Sequence, residues 1–501
     1  MQILVTLWWL FFWTAFGLCL GSFLNAVIYR LPRNRSLLRP LWSACPHCRH
    51  RIRWYDNFPV VSFILLGGRC RDCGIPIATH YIVVELMTAV LVLMLLDAFF
   101  IGNVRAGLSE TPFGLTEHLS LDWPILAAHI VLFACLLPMS VIDLEHYWVD
   151  IRFTNLATLA GFVLHALWTP RHSQEWFRPW DSTGVICLFA VIAMGVLWVF
   201  EICSIDPDEE ELDEGQPEEP SPSTSPETFP PRRPPPPLSA PSRVAGWVAG
   251  SIFAVTLLLL FADEAALLNL KLKHAGRALL PLATLFVLIV SMSAVKRQSD
   301  QEIAAAIHEE RHEARRMVLA EFWVFVPAIL AGLLGWWLVT RGGGFSARIG
   351  DAFDGGIRVT GFRMFLNWNP LLGLATAASG FVIAGALGWA VRIVFTLVFG
   401  KEAFGTGDIH LMAAAGCVAG WPVVVIGFFL TCVLAMVGWL VTLPFKRTRA
   451  VPLGPWLSLS FLAVVVFYDS IAEWSVVARA VDTVNWWLAD RPALPMLEGI
   501  R

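Results

Sequence analysis

Long apolar runs separated by short charged stretches organise this chain from its first residues to near its last. A helix needs roughly 18–20 apolar residues to cross a bilayer core. The pattern predicts spans near 4–27, 83–101, 125–142, 152–168, 184–203, 244–262, 278–295, 319–340, 371–399, 409–420, 422–443 and 452–470. The expected fold class is therefore an all-α polytopic membrane protein with about 12 transmembrane helices. The 409–420 run is the shortest of them. The first run is too long for a removable signal peptide and lacks a small-residue cleavage site, so it reads as a permanent anchor.

Composition agrees: 56% of the 501 residues are hydrophobic, and the lipid bilayer is the expected partner, with no nucleic acid. The net charge of −4 matters less than where the charge lies. Between Arg30 and Asp72 there are nine Arg and no Lys, against only Asp56 and Asp72. The positive-inside rule makes that loop cytoplasmic and leaves the N-terminus outside. Counting spans from there puts Asp143, the 204–243 segment, Lys296-Arg297, Asp408 and Lys446-Arg447 on the inner face. The Lys271, Lys273 and Arg277 segment falls outside, against the rule.

The basic loop also carries cysteine chemistry. Cys19, Cys135, Cys187, Cys203, Cys417 and Cys432 lie singly in or beside apolar runs and read as small hydrophobes. Cys45-Pro-His-Cys48 and Cys70-Arg-Asp-Cys73 are different. Two such knuckles place four thiolates around one tetrahedral zinc and leave no open position, which makes the expected metal structural. Neighbouring arginines help keep the thiols deprotonated. The alternative is two disulfides or a redox pair, which a reducing inner face disfavours.

Two aspartates stand at the inner ends of spans: Asp143 in Ser140-Val-Ile-Asp143 and Asp408 in Gly405-Thr-Gly-Asp408. A carboxylate at the membrane boundary is costly to keep and marks a functional site by default. Two that meet would divide the work, one as base and one as acid, which is the apparatus for splitting a peptide bond with water. Glu145 and Asp150 are alternative carboxylates close to the first position.

Gly21-Ser-Phe-Leu-Asn-Ala-Val-Ile-Tyr-Arg-Leu-Pro32, the paired knuckles, Asp56-Asn57-Phe58-Pro59, Gly68-Arg-Cys70 and Tyr81-Ile-Val-Val-Glu85 follow one another in order. Together with the Gly-x-Gly-Asp box, preceded by Gly400-Lys-Glu402 and followed by Ile409-His-Leu411, they resemble the bacterial type IV prepilin peptidases. The resemblance covers about 1–168 and 371–470. It implies an inner-membrane aspartyl endopeptidase, its active site facing the cytoplasm, that removes the basic leader of type IV prepilins or type II secretion pseudopilins. Many such enzymes also methylate the new N-terminus with S-adenosylmethionine. Carried over by motif, Asp143 and Asp408 are the catalytic pair, and Cys45, Cys48, Cys70 and Cys73 hold the zinc. No Gly-rich cofactor fingerprint is present, so the S-adenosylmethionine contacts are unassigned; the region expected to hold them is 28–81 with Gly21, Asn25 and Glu85.

The chain departs from the family in two places. The first box usually continues to a Pro followed by Asp or Asn, whereas here it runs Asp143-Leu-Glu-His-Tyr-Trp-Val-Asp150. The two aspartates are also separated by about two hundred extra residues. The expected division is a first anchor at 1–27, the zinc loop at 28–82, core helices at 83–168, an insertion at 169–370, core helices at 371–470 and a tail at 471–501. Four spans inside the insertion return the chain to its original face. They are expected to pack outside the core and supply no catalytic group, with Trp198, Trp247, Trp336 and Trp337 as lipid-facing anchors. Within the insertion, 204–243 is acidic and then Pro-rich, a composition that cannot fold alone.

Two rival readings remain. His308-Glu-Glu-Arg-His312 matches a zinc-protease helix, with Glu309 as base, but its charged neighbours equally describe a solvated helix laced with charge pairs. The other is a non-catalytic membrane assembly factor built on a peptidase scaffold.

Overall fold

The computed structural model describes residues 2–33, 35–37, 42–101, 104, 108, 115–146, 149–168, 181–204, 254–255, 274–293, 314–341, 369–400, 404–442 and 452–472. All of their regular elements are helical, apart from two isolated antiparallel bridges. Among the described residues, six helices are long and apolar enough to cross a membrane, and four shorter apolar helices accompany them. Of the expected 244–262 span and 204–243 linker, all but residues 204, 254 and 255 lie outside the described residues.

In chain order the helices are α1 (Gln2–Arg30), α2 (Val61–Leu65), α3 (His80–Leu96), α4 (Leu115–His146), α5 (Ile151–Leu167) and α6 (Asp181–Ser204). After these come α7 (His274–Ser293), α8 (Ala314–Arg341), α9 (Pro370–Phe399), α10 (Thr406–Ala419), α11 (Trp421–Thr442), α12 (Gly454–Val466) and α13 (Tyr468–Ala472). Their ends follow local chemistry. Asp150 caps α5 by accepting from the Arg152 amide at 2.9 Å. Asn369 caps α9 and Pro370 opens it, while Gly400 ends it in the left-handed conformation.

The core is built from α3, α4, α5, α9, α10 and α12. α1 lies along α3, and α10 is wedged between α5 and α9. Every residue from Leu411 to Ala419 is buried. At 1.5 Å per residue, a 14-residue helix reaches only about 21 Å, well short of the roughly 30 Å hydrocarbon thickness. It is clasped by protein on all sides, and its small residues allow this: a Cβ on Gly416 would overlap the Gly380 carbonyl of α9, and the reverse also holds.

Three of the four expected insertion spans are described as helices, α6, α7 and α8. α6 and α8 pack on one another and along the flank of α9, and α7 lies against α11 and α12. Trp336 and Trp337 on α8 are about half exposed, as lipid-facing anchors should be. The side chains of Trp198 and Trp247 lie outside the described residues.

Candidate functional site

Chain direction brings the motifs to one end of the bundle. α1 ends and α3 begins at the four-cysteine loop; α3 runs away from it, and α4 returns carrying Asp143 near its last turn. Asp143 is buried, and its Oδ2 accepts the Gly454 amide at 3.1 Å. Gly454 is the first residue of α12, whose N-cap is Leu453, a side chain unable to cap. The aspartate of α4 therefore supplies from another helix the acceptor that α12 lacks. The positive end of α12 in turn favours a carboxylate there. One turn earlier, the Ser140 hydroxyl lies 2.9 Å from that of Ser458, tying α4 to α12 again.

Asp408 reaches the same place from a different helix. Gly405 is extended before α10, and Asp408 stands in the first turn, also at a helix N-terminus. Asp143 is near enough to act on the Asp408 carboxylate through its charge. Val149, within the altered first box, packs directly on Gly407, where a Cβ would come 2.6 Å from the Val149 Cβ. The two motifs are thus in contact through backbone and side chain. Asp150 is committed elsewhere, capping α5 and forking to the Arg152 guanidinium at 2.8–3.0 Å. The Glu145 side chain lies outside the described residues.

The four cysteines also converge. Their sulfurs all lie within 4.8 Å of one another; Cys45 Sγ is 3.9 Å from Cys73 Sγ, and Cys48 Sγ is 4.0 Å from Cys70 Sγ. A tetrahedral zinc with Zn–S of about 2.3 Å requires S···S of about 3.8 Å. The donor set fits that metal. Two matched knuckles build it: the Cys45 amide donates to His50 O and the Cys70 amide to Ile75 O, each closing a small bridge, Ala44 to Arg51 and Arg69 to Pro76. Arg49 (φ +57°) and Gly74 (φ +69°) occupy equivalent left-handed positions just after the second cysteine of each knuckle. Asp56 forks to Arg71 at 2.6 and 2.8 Å, and that guanidinium holds its carboxyl below the usual carboxylate range. His308 and His312, the rival metal ligands, lie outside the described residues.

Gly21, Asn25 and Glu85 meet at the seam between α1 and α3. Gly21 packs on the Glu85 backbone, the Asn25 amide donates to Tyr81 O at 2.8 Å, and Glu85 Oε2 accepts the Val60 amide at 2.8 Å. Val60 is held at φ +61°, so Glu85 pins a strained corner of the loop to α3. These are anchoring roles.

Residues 15–99 match the family model for the bacterial peptidase A24 N-terminal domain. A prepilin leader peptidase/N-methyltransferase of Myxococcus xanthus is 39% identical over 148 residues, covering 30% of this chain and 38% of that protein. A type 4 prepilin-like protein leader peptide-processing enzyme of Escherichia coli is 34% identical over 170 residues, 30% of this chain and 54% of its own. The prepilin leader peptidase/N-methyltransferase of Dichelobacter nodosus is 32% identical over 229 residues, 40% of this chain and 70% of that protein. The chain belongs to the prepilin leader peptidase family. It nevertheless spans only about two fifths to about half the length of the first two relatives. No solved structure matches the chain. Family membership and the six long apolar helices make it a membrane protein.

Sequence reasoning missed three participants in the site. Gly454 acts through its backbone amide, and Val149 through a contact that only the packing of α4 and α5 against α10 creates. The third is Arg392, a guanidinium buried inside the α9 span. Its signal was visible, since a charge within an apolar run is functional by default.

Proposed function

We propose that this chain is an intramembrane aspartyl endopeptidase that removes the basic leader from type IV prepilins or type II secretion pseudopilins, with Asp143 and Asp408 as its catalytic pair. What supports this reading is geometric: Asp143 accepts the first amide of α12, Asp408 stands in the first turn of α10, and Val149, six residues past Asp143, packs on Gly407 next to Asp408. The ionised member takes a proton from water while the hydroxyl oxygen bonds to the scissile carbonyl carbon. The protonated partner donates to the carbonyl oxygen as charge develops there. Collapse of the tetrahedral intermediate then breaks the C–N bond, with a proton delivered to the leaving nitrogen. Gly405, where a Cβ would meet only Asp408 Oδ2 at 3.5 Å, leaves room beside Asp408 for an extended substrate strand.

Cys45, Cys48, Cys70 and Cys73 would hold a structural zinc that orders the 42–77 loop, and no step of hydrolysis passes through it. The nine arginines of the loop support a cytoplasmic position at the inner membrane for it and for the site at the same end of the bundle. N-methylation of the product by S-adenosylmethionine enters from the relatives' names alone. The domain division given above is part of the same proposal.

Changing either Asp143 or Asp408 to Asn should lower leader removal by about 10³-fold or more while the protein still accumulates in the membrane. The measurement is processing of a prepilin co-expressed with each variant. Retained cleavage in Asp408→Asn would sink the assignment. Mass analysis of the mature terminus, in the same experiment, decides methylation.

A further inference from the structure

The insertion is not inert toward the Gly-x-Gly-Asp segment. Arg392 is only 3% exposed, and it lies within the apolar α9. Its Nε and Nη2 fork onto the Glu321 carboxylate at 3.1 and 2.9 Å, and Glu321 belongs to α8, an insertion helix. Its remaining terminal nitrogen, Nη1, donates to the Phe404 carbonyl at 2.6 Å. Phe404 is itself buried and directly precedes Gly405, the residue from which the chain turns into α10 and presents Asp408 three positions later.

Two further contacts show that α8 is seated here. One turn along, Phe325 of α8 packs edge-on against Trp389 of α9, with centroids 4.8 Å apart. At the N-terminus of α8, two turns before Glu321, the Arg315 guanidinium lies over Gly400, where an added Cβ would come 3.2 Å from Arg315 Nη2. α8 thus touches α9 at its closing glycine, in its last turns, and at the arginine that reaches the motif.

We propose that Glu321 is a positioning residue for the proposed active site: it orients the Arg392 fork so that the third nitrogen fixes the Phe404 carbonyl, and with it the entry of α10 and the placement of Asp408. A buried guanidinium needs a counter-charge. Glu321 supplies such a charge from an insertion helix and ties that helix to the core. A carboxylate fork fixes the plane of a guanidinium as well as neutralising it. Without the fork the arginine can leave the carbonyl. The consequence for cleavage rests on the peptidase reading above, whereas the consequence for local backbone order does not.

The test uses the full chain in lipid nanodiscs with a synthetic prepilin fragment, a basic leader joined to an apolar helix. The variants are Glu321→Leu, Glu321→Asp, Arg392→Met and the double variant Glu321→Leu with Arg392→Met. The double variant removes both charges and repairs any purely structural cost of a stranded ion. Glu321→Leu should lower kcat by about 10- to 100-fold with little change in KM, the scale on which a small misplacement costs rate. The double variant should accumulate like wild type yet stay slow, and Glu321→Asp should recover most of the rate. Amide exchange across 404–409 should rise in both slow variants while exchange in the four-cysteine loop stays unchanged. Wild-type kcat in Glu321→Leu, or full activity in the double variant, would overturn the proposal, as would unchanged exchange at 404–409. If the wild-type chain cleaves no prepilin, the peptidase reading falls alone and the exchange measurement still decides the brace.

Discussion

The aspartate seam and the four-cysteine loop lie at the same end of the molecule and are held together by opposite means. Around Asp143 and Asp408, the positions are dictated by close helix packing: Gly416 on Gly380, Val149 on Gly407, and the Gly454 amide on Asp143. Around Cys45 to Cys73 there is almost no core. Trp54, Tyr55, Phe58, Ile64 and Leu65 are exposed, and Cys45 and Ser62 are among the few buried side chains. Short bridges, one good ion pair and four converging sulfurs do the organising. The seam should therefore fail by steric displacement, and the loop by loss of a ligand.

The largest expected effect is on the loop. Structural zinc sites of this type contribute on the order of 10 kcal/mol to folding. Cys45→Ser or Cys70→Ser should abolish binding of about one zinc per chain, lower yield and activity together, and open 42–77 to proteolysis. Metal analysis and limited digestion of the purified protein check this. If the helices around Asp143 become equally sensitive to digestion, the two regions are not separately held. Zinc persisting in a chain without all four cysteines would point to His308 and His312 instead.

The complementary break is made in the seam. A Cβ at position 407 would come 2.6 Å from the Val149 Cβ, and one at 454 would come 2.8 Å from Asp143 Oδ2. Gly407→Ala and Gly454→Ala should lower cleavage by about 10- to 100-fold through misplacement, with normal zinc content. Adding Val149→Gly to Gly407→Ala removes the colliding atom and should restore most of the lost activity. Failure of that rescue, with both proteins well expressed, would mean that the Gly407 contact does not set the Asp408 position.

Much of this was legible in the letters, and the boundary of legibility follows from physics. Hydropathy finds a helix wherever lipid is the solvent, so α1, α4, α9 and α11 extend only a few residues beyond the runs that predict them, except where α4 begins well before its run, at Leu115. The same signal weakens for α10, because a helix clasped by protein on all sides needs neither full length nor a lipid-facing surface. Cysteine spacing encodes its own geometry, so the four-sulfur cluster could be read directly. The Gly454 amide could not, since every residue but proline has one and only the fold selects which points at Asp143. Glu321 is similarly hidden: its 71-residue separation from Arg392 carries no periodicity, and the pairing exists only because α8 docks on α9. Treating the insertion as accessory followed from the family pattern, and the Glu321–Arg392 fork is the contact on which the proposed brace would change that reading.

The smallest effect separates backbone from metal within the loop itself. The two knuckles are nearly equivalent, yet one places Arg49 and the other Gly74 at the left-handed position that follows the second cysteine. A side chain there costs roughly 1–2 kcal/mol. Nothing lies within 4 Å of a Cβ built at Gly74, so Gly74→Ala tests the dihedral alone. It should destabilise the loop by about 1 kcal/mol, seen as zinc release at lower temperature or lower chelator concentration. Arg49→Gly should act in the other direction and more weakly, because the strain it relieves is offset by about 0.4–1 kcal/mol of added freedom in the unfolded chain. Both variants should leave cleavage per zinc-loaded molecule unchanged if seam and loop are held independently. A change in kcat that tracks the zinc-release temperature would instead mean that order in the loop is transmitted to Asp143, by way of Glu85 and the α1–α3 seam to which it pins Val60.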